Sequence, residues 1–383
     1  MKRIFSVDVL RGLIIVIMAL DHTREYVNAQ ALTFNPEDLS KTTYAFFFTR
    51  WITHFCAPTF FLLTGTGAFL SLRKQSVPAL SRFLLTRGIW LLFLDVVVLR
   101  FLLQFNVDYR LTIVNVLWAL GWSMIALSAL VHLPMKVVIA FGAFMVVGHN
   151  LFDGIKSANP IWTILHSPNV MLNAGGHIVF IAYPIVPWIG VTALGYGLGT
   201  MYSWSAEARR RVLLRLGLGM TASFVVLRAL NVYGDPSRWA AQRSALLTAL
   251  SFLNTTKYPP SLLFLLMTLG PVLLFLRSVD GGIPGVLRPA VVIGKVPLMY
   301  FMVHMALIHL IAVGVSLVRY GGVHWMFESP SFDRYPITPP PGWGYSLAGV
   351  YLVWLIVVIM MYPLCRWFAA VKQQRRSVWL SYL

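Results

Sequence analysis

Long apolar runs recur along the whole chain, and their length constrains its fold more than any other feature. An α-helix needs roughly 20 residues to cross the hydrocarbon core of a bilayer. In lipid, only helices and closed barrels satisfy every backbone polar group. Ten runs of suitable length cover residues 7–27, 44–72, 83–105, 112–132, 135–152, 177–201, 211–231, 260–277, 289–318 and 345–369. They predict an all-α fold: a polytopic integral membrane protein with about ten transmembrane helices.

Composition excludes an ordinary soluble domain. Of the 383 residues, 58% are hydrophobic and only 11% are charged, whereas soluble domains carry about 25% charged residues. The formal net charge of +18 could indicate nucleic-acid binding, but the basic residues recur in short clusters between apolar runs. Such clusters are typical of the cytoplasmic loops of membrane proteins. We therefore expect a lipid bilayer as partner, and no nucleic acid.

The basic clusters also predict the topology. With the N-terminus in the cytoplasm, "RRR" at 209–211 and "KQQRR" at 372–376 fall on the same side of the membrane. Ten spans then place both termini in the cytoplasm, as the positive-inside rule favours. We find no soluble domain or short-period repeat, so residues 1–383 are predicted to form one transmembrane domain. Pro58 and Pro297 lie inside long runs and can interrupt their helices.

The first run, "DVLRGLIIVIMALDH" from Asp8 to His22, carries polar groups that a membrane helix normally avoids. An ionisable group at a helix centre costs roughly 2.5–3.5 kcal/mol on insertion scales, so such groups usually have a role. Arg11 and His22 are eleven residues apart, which places them within about 20° of one face and about 16 Å apart. Asp8 is one turn from Arg11 and can pair with it, and Asp21 lies beside His22.

Two further runs contain histidines. His54 lies one turn before Pro58, and "TGTG" at 64–67 predicts close helix packing. His304 and His309 are five residues apart, about 140° around a helix, whereas a zinc pair favours a spacing of four. No acidic cluster accompanies them in the sequence. We therefore expect no metal site.

The remaining buried polar residues have several interpretations. Asp95 and Arg100 are five residues apart, so each is expected to pair elsewhere in a structural role. Asn115 can serve packing or substrate contact. Lys257 and Tyr258 precede the eighth predicted helix, where a lysine is well placed to meet an anion. Together with Lys295 and Arg228, this lysine favours an anionic ligand such as phosphate or pyrophosphate.

Several motifs resemble those of membrane acyltransferases. "SVDVLRGLIIVIMALDH" resembles the first-helix motif of the acyltransferase-3 family, in which an arginine and a histidine at this spacing are associated with acyl transfer from coenzyme A. The order of the other motifs resembles the bacterial members of the related heparan-α-glucosaminide N-acetyltransferase-like family. These motifs are "SVDVLRG", "CAPTFFLLTGTGAFLSL", "PWIGVTALGYGLG", "NTTKYPPSLLFLLMTLGP", "GKVPLMYFMVHMALIHL" and "YPLCRWFAAVKQQRRSVWLSYL".

The resemblance implies a cytoplasmic acyl-CoA donor, acetyl-CoA in particular, and an acceptor that can lie across the membrane. By motif match, Arg11, Lys257, Ser261 and His304 carry over as candidate site residues. The animal enzyme has its proposed catalytic histidine in the external loop after the first helix, but residues 23–53 contain no histidine here. This departure leaves His22 as the first candidate and His54 as the second.

Acyl transfer needs a base, donors for the oxyanion and a leaving thiolate. An imidazole near its ordinary pKa suits the base. We assign that role to His22, with Asp21 or a neighbour fixing its tautomer. Oxyanion donors are expected among Lys257, Asn115 and backbone amides. Candidate residues for coenzyme A are Arg11, Arg82, Arg87, Lys257 and Lys295, and those for the acceptor are Asn115, Tyr258, Ser261 and His304. Direct transfer and an acyl-histidine intermediate both stay open.

The predicted function is transfer of an acyl group, acetyl in particular, from acyl-CoA to an amine or hydroxyl of a saccharide-type or small acceptor. The alternative is a transporter or flippase for an anionic or sugar-like solute, which buried charges and broken helices would also fit. The absence of an obvious inverted repeat and the order of the motifs favour the enzyme. We expect it in the bacterial inner membrane, and homo-oligomerisation stays open.

Overall fold

The computed structural model of the chain describes residues 4–31, 33–72, 74–329 and 339–375. Within these ranges the chain forms fifteen α-helices and three strands. In chain order they are α1 (Phe5–Val27), α2 (Tyr44–Trp51), α3 (Cys56–Leu72), α4 (Val77–Phe93), α5 (Arg100–Gln104), β1 (Leu111–Val114), α6 (Val116–Leu130), α7 (Met135–Gly148), α8 (Pro160–Leu165), β2 (Asn169–Ala174), β3 (His177–Ile181), α9 (Val186–Gly199), α10 (Ala206–Leu230), α11 (Ala245–Leu253), α12 (Leu262–Val279), α13 (Arg288–Gly294), α14 (Pro297–Tyr320) and α15 (Leu347–Gln374).

The described residues form two units, and each is considered by itself. The first unit takes its residues from Met1–Cys56, Val97–Leu111 and Ile283–Leu383. The second takes them from Ala57–Val96 and Thr112–Gly282. The prediction of one domain over 1–383 stays a prediction.

In the first unit, α1 packs against α13, α14 and α15. Its contact with α13 is a contact between backbones. A Cβ atom added to Gly12 would lie 1.8 Å from the carbonyl oxygen of Ala290, and one added to Gly294 would lie 1.9 Å from that of Asp8. Only glycine permits this approach, so the sequence fixes where α1 and α13 meet.

Helices α1 and α14 run side by side in the same direction. The ring of His22 lies against that of His304, and four residues further along α1 the ring of Tyr26 lies against that of His309. The indole N–H of Trp354, on α15, donates to the carbonyl of Val16. Polar side chains of α1 therefore face other helices of the unit.

Two long predicted runs are interrupted near their prolines. A 3₁₀ segment, Ile52–Phe55, separates α2 from α3 just before Pro58. The second of these runs is interrupted between α13 and α14, and Pro297 is the first residue of α14. Proline has no N–H to donate and its φ suits a first helical turn, so it marks where a helix restarts. The predicted interruptions are confirmed.

In the second unit, α4 packs against α6, α7 against α9, and α10 against α12. Small residues also bring α3 onto α9, because a Cβ on Gly65 would lie 1.9 Å from the carbonyl oxygen of Thr192. The hydroxyl of Thr66 donates to the carbonyls of Leu62 and Gly195 at 2.9 and 3.0 Å. The close packing predicted from "TGTG" is confirmed for these two residues.

The three strands form a small sheet in the order β1–β3–β2. Strands β2 and β3 are antiparallel and are joined at Gly175 and Gly176, both with positive φ, as a tight hairpin turn requires. Residues 112–114 and 177–181 were expected in helices, and that expectation is wrong. Their sequences "TIV" and "HIVFI" are rich in β-branched residues, which favour strands.

Six helical segments among the described residues are long and apolar enough to cross a membrane: Tyr44–Leu72, Met135–Phe152, Ala206–Leu230, Leu262–Val279, Pro297–Tyr320 and Leu347–Gln374. The mostly helical fold fits a membrane protein. Ten spans and two cytoplasmic termini stay predictions. Residues 1–3 and 376–383, including Arg376 of the "KQQRR" cluster and the end of the tail motif, lie outside the described residues.

The backbone contact of α1 with α13 predicts that Gly12→Ala destabilises the protein. The added Cβ must push α1 from α13, and overpacking of this kind typically costs about 1–3 kcal/mol. Gly314→Ala is the matched control, because a Cβ there would meet nothing within 4 Å. Thermal unfolding in detergent should show a lower Tm for Gly12→Ala and no loss for Gly314→Ala. Equal Tm values for both variants would contradict the contact.

Candidate functional site

The residues predicted for the site divide between the two units. The first unit contains Arg11, Asp21, His22, His54, Lys295 and His304. The second contains Arg82, Arg87, Asn115, Lys257, Tyr258 and Ser261. The candidate catalytic histidines therefore all belong to the first unit.

His22 and His304 lie together, with 5.5 Å between their ring centroids. His304 is completely buried, and its Nδ1 lies 2.9 Å from the carbonyl oxygen of Tyr300. A carbonyl only accepts hydrogen bonds, so Nδ1 carries the proton and Nε2 of the neutral ring has a free lone pair. This Nε2 is buried and has no hydrogen-bond partner in the described part of the chain.

Glu25 orients the other imidazole. Nδ1 of His22 lies 3.2 Å from Oε2 of Glu25, one helical turn further along α1. An ionised carboxylate also only accepts, which leaves Nε2 of His22 as the basic nitrogen of the neutral ring. The side chain of His22 is 21% exposed, so a substrate can reach it. The sequence reasoning named Asp21 or a neighbour for this role, and the neighbour is Glu25.

Tyr300 adds a hydroxyl that the sequence reasoning missed. Its ring centroid lies 5.2 Å from that of His304, one turn away on α14. Its hydroxyl is buried and makes no hydrogen bond within the described residues. Buried polar groups are normally satisfied, so this hydroxyl and Nε2 of His304 each indicate a place for a water or a substrate group. The signal in the sequence was the four-residue spacing in "YFMVH".

A buried charged cluster adjoins His22 on α1. Oδ1 of Asp21 accepts a hydrogen bond from Arg24 at 2.9 Å, and Oδ2 accepts one from Arg50. Arg50 also lies 3.9 Å from Glu37, and Oε1 of Glu37 lies 2.6 Å from Nε2 of His54. The cluster thus ties α1, the loop after it and the 3₁₀ segment together. His54 belongs to this cluster.

The loop that carries Glu37 is shaped by two side-chain turns. The backbone N–H of Glu37 donates to Oδ1 of Asn35, and that of Ser40 donates to Oδ1 of Asp38. The hydroxyl and N–H of Ser40 hold the pKa of the Asp38 carboxyl below its usual value. Such local hydrogen bonds favour tight turns. They position Glu37 to meet His54 and Arg50.

At the other end of α1, two of the cations predicted to bind coenzyme A lie near each other. Arg11 lies 3.4 Å from Oδ1 of Asp8, which confirms the predicted pair. It also donates to the carbonyl of Gly294 at 3.3 Å. Lys295 follows at the break between α13 and α14, and its side chain is partly exposed. A positive region therefore flanks this break.

In the second unit, Asn115 and Ser261 are used locally. Asn115 donates its backbone N–H to Asp95 and its side-chain N–H to the carbonyl of Ile113, both at 2.8 Å. Ser261 donates to Asp235 at 2.7 Å and caps α12 by accepting from the N–H of Phe264. The structure thus gives both residues a structural role. Their predicted contacts with substrate stay predictions.

The two arginines predicted for coenzyme A on α4 differ in exposure. Arg82 is exposed, and Arg87 lies over the ring of Phe83 at 5.9 Å. Lys257 is buried, with its ammonium group 5.2 Å from the centroid of the Tyr258 ring. Lys257 is thus held inside its unit.

Other buried ionisable groups bind backbone. Arg100 donates to the carbonyls of Leu111 and Asn106 and forms an ion pair with Asp108 at 2.9 Å. The prediction that Asp95 and Arg100 pair with separate partners is confirmed. Both nitrogens of His309 lie near 3 Å from backbone carbonyls. No group of three or more potential ligands for a metal occurs among the described residues.

The family model described as "heparan-alpha-glucosaminide N-acetyltransferase, catalytic" matches residues 3–235, which is more than half of the chain. The chain belongs to this family. The family resemblance read from the motifs is confirmed, and the chain is a membrane protein of an acetyltransferase family. The matched region contains His22 and His54, and it ends before Lys257 and His304. No curated protein matches the chain significantly.

The buried cluster predicts strong coupling between Asp21 and Arg50. Removing one partner of a buried pair leaves an uncompensated charge and typically costs about 3–5 kcal/mol. Asp21→Asn and Arg50→Met should each destabilise the protein, and the double variant should lose less than the sum. Arg110→Met is the control, because its side chain is 75% exposed. Equilibrium unfolding in mixed micelles gives the free energies, and additive losses would contradict the coupling.

Proposed function

We propose that this protein transfers an acyl group, acetyl in particular, from acetyl-CoA to an amine or hydroxyl of a saccharide-type acceptor. The observation that carries the proposal is the His22–His304 pair. Each imidazole has Nδ1 directed to a hydrogen-bond acceptor, and the Nε2 of each is left as the basic nitrogen. Membership of an acetyltransferase family supplies the reaction class.

In this mechanism, His22 is the general base. The acceptor nitrogen or oxygen attacks the thioester carbonyl carbon, and its proton passes to Nε2 of His22. The imidazolium that forms is stabilised by Glu25, as a carboxylate stabilises the histidine of a catalytic triad. His22 suits this step better than His304, because Nδ1 of His304 faces a neutral carbonyl.

His304 and Tyr300 complete the centre. Nε2 of His304 orients the acceptor by accepting a hydrogen bond from the second N–H of an amine, or from a neighbouring hydroxyl of the saccharide when a hydroxyl is acylated. The hydroxyl of Tyr300 donates to the oxyanion of the tetrahedral intermediate, in a site where a preorganised donor is worth more than in water. The intermediate then collapses, the carbon–sulfur bond breaks, and His22 returns its proton to the thiolate. The products are the acylated acceptor and free coenzyme A.

The donor is proposed to enter at the positive region formed by Arg11 and Lys295. Arg11 and His22 lie about 16 Å apart along α1, by the rise per residue of a helix. The long pantetheine arm of coenzyme A can span this distance, with its phosphates at Arg11 and Lys295. Arg82 and Arg87 stay further candidates for the phosphates. In this proposal the donor side is cytoplasmic, in a bacterial inner membrane.

The catalytic centre predicts a graded loss of activity. His22→Gln should lower the acetyl-transfer rate about 10²–10⁴-fold, the usual contribution of a general base. Tyr300→Phe should lower it about 10²–10³-fold, as loss of one oxyanion donor does. The measurement is transfer of radiolabelled acetyl groups from acetyl-CoA to glucosamine by the purified protein in nanodiscs.

The exposed residue His132 provides the matched control. His132→Gln should retain the wild-type rate, and all variants should bind coenzyme A with unchanged affinity. A His22→Gln protein that is folded and fully active would remove His22 from the mechanism. Mass spectrometry of envelope glycans from strains with and without the gene would identify the acceptor.

A further inference from the structure

Lys257, in the second unit, is a buried cation without a counter-ion among the described residues. The residue is 7% exposed. Among the described residues, its ammonium group has one electrostatic contact, a cation–π contact with an aromatic ring. A buried charge is unfavourable unless it is paired, because it loses its hydration. The lysine therefore needs an anion that the described part of the chain does not supply.

Lys257 lies against one of a pair of packed tyrosines. Its ammonium group lies 5.2 Å from the centroid of the Tyr258 ring, within the range of a cation–π contact. The hydroxyls of Tyr258 and Tyr183 are 3.4 Å apart, and their rings pack edge to face. Tyr183 is buried, whereas Tyr258 is 37% exposed. The partly exposed Tyr258 thus joins the cation to a pair of hydroxyl groups that can donate to an anion.

The carboxylate nearest in sequence, Asp235, is already occupied. Its Oδ2 accepts from the N–H of Thr256 and the hydroxyl of Ser261 at 2.9 and 2.7 Å. Its Oδ1 accepts from the hydroxyl of Thr256 and the N–H of Ser237, both at 2.8 Å. Arg228 lies 4.0 Å from the same carboxylate and supplies its counter-charge. Asp235 thus holds the loop together and does not neutralise Lys257.

The start of α12 does not provide an anion site either. The N–H groups of Leu262, Leu263 and Phe264 donate to the side chain of Asn150, the carbonyl of Gly234 and the hydroxyl of Ser261, respectively. These are the donors that a helix N-terminus would offer to an anion. Because they are already used, any anion beside Lys257 is held by side chains.

We propose that Lys257, together with the hydroxyls of Tyr258 and Tyr183, forms a subsite for one phosphate or carboxylate group of a substrate. The assignment of that group rests on the proposed function, which supplies two sources. One is a phosphate of coenzyme A, and the other is the carboxylate of an acidic sugar in the acceptor. The proposed binding of an anionic group at Lys257 does not depend on which of the two sources supplies it.

The test is equilibrium binding to the full-length protein in nanodiscs, measured by calorimetry without turnover. The probes are coenzyme A, pantetheine, which lacks its phosphates, glucuronate, and glucose, which lacks the carboxylate. Lys257→Met should weaken binding of one anionic probe by at least about tenfold, the scale expected for a lost hydrogen bond to a charged group. Binding of the matched neutral probe should be unchanged.

The anionic probe that weakens identifies the source. Lys257→Arg keeps the charge and should retain affinity within about threefold. Lys156→Met changes an exposed lysine of the same unit and is the control. Tyr258→Phe removes only a hydroxyl at a partly exposed position, so it tests the subsite even where Lys257→Met fails to fold. It should weaken the same probe by about threefold or more.

Unchanged affinity of both anionic probes in folded Lys257→Met and in Tyr258→Phe would overturn the subsite. Weaker binding of coenzyme A alone or of glucuronate alone supports the subsite. The probe that is affected then shows whether the bound group is a coenzyme A phosphate or an acceptor carboxylate. Failure of the proposed function is distinguishable, because it would appear as full activity of His22→Gln with the Lys257 effect on binding still present.

Discussion

The backbone contact between α1 and α13 sets the geometry on which the candidate site depends. Gly12 and Gly294 allow the two helices to touch, and this contact fixes the height of α1 relative to the start of α14. His22 is ten residues beyond Gly12 on α1, and His304 is seven residues beyond Pro297, the first residue of α14. Because α1 and α14 run in the same direction, the two imidazoles lie beside each other, with 5.5 Å between their ring centroids. The glycine contact thus sets the position of α1, on which His22 lies about 15 Å from Gly12, relative to the start of the helix that carries His304.

Much of this arrangement could be predicted from the sequence, because it follows from periodicity within single helices. The Asp8–Arg11 pair, the placement of Arg11 and His22 on one helix, and the interruptions near the prolines required only the geometry of a helix. The partners of His22 were not predictable in that way. His304 and Tyr300 are nearly 300 residues away in the chain, and no spacing rule links them to α1. Their meeting depends on helix packing.

The strands show a different limit. Apolar runs that contain β-branched residues satisfy a hydropathy window whether they form a helix or a strand, so length alone placed 112–114 and 177–181 in helices. Pairing between β1 and β3 is non-local, and a window along one segment cannot detect it. The buried contacts of Glu37 could not be predicted for a related reason. Its sequence neighbours indicate an exposed loop, and only the buried Arg50 and His54 show that its carboxylate is directed inward.

The way buried polar groups are satisfied separates structural residues from candidates for chemistry. Arg228 donates to four backbone carbonyls, and Asp235 accepts four hydrogen bonds, so each already has the partners that its charge requires. His304, Tyr300 and Lys257 differ, because each keeps a polar atom or charge that the described residues leave unmatched. An unmatched buried group is stable only if something else completes it. For the acyl transfer proposed above, the substrate is the natural candidate.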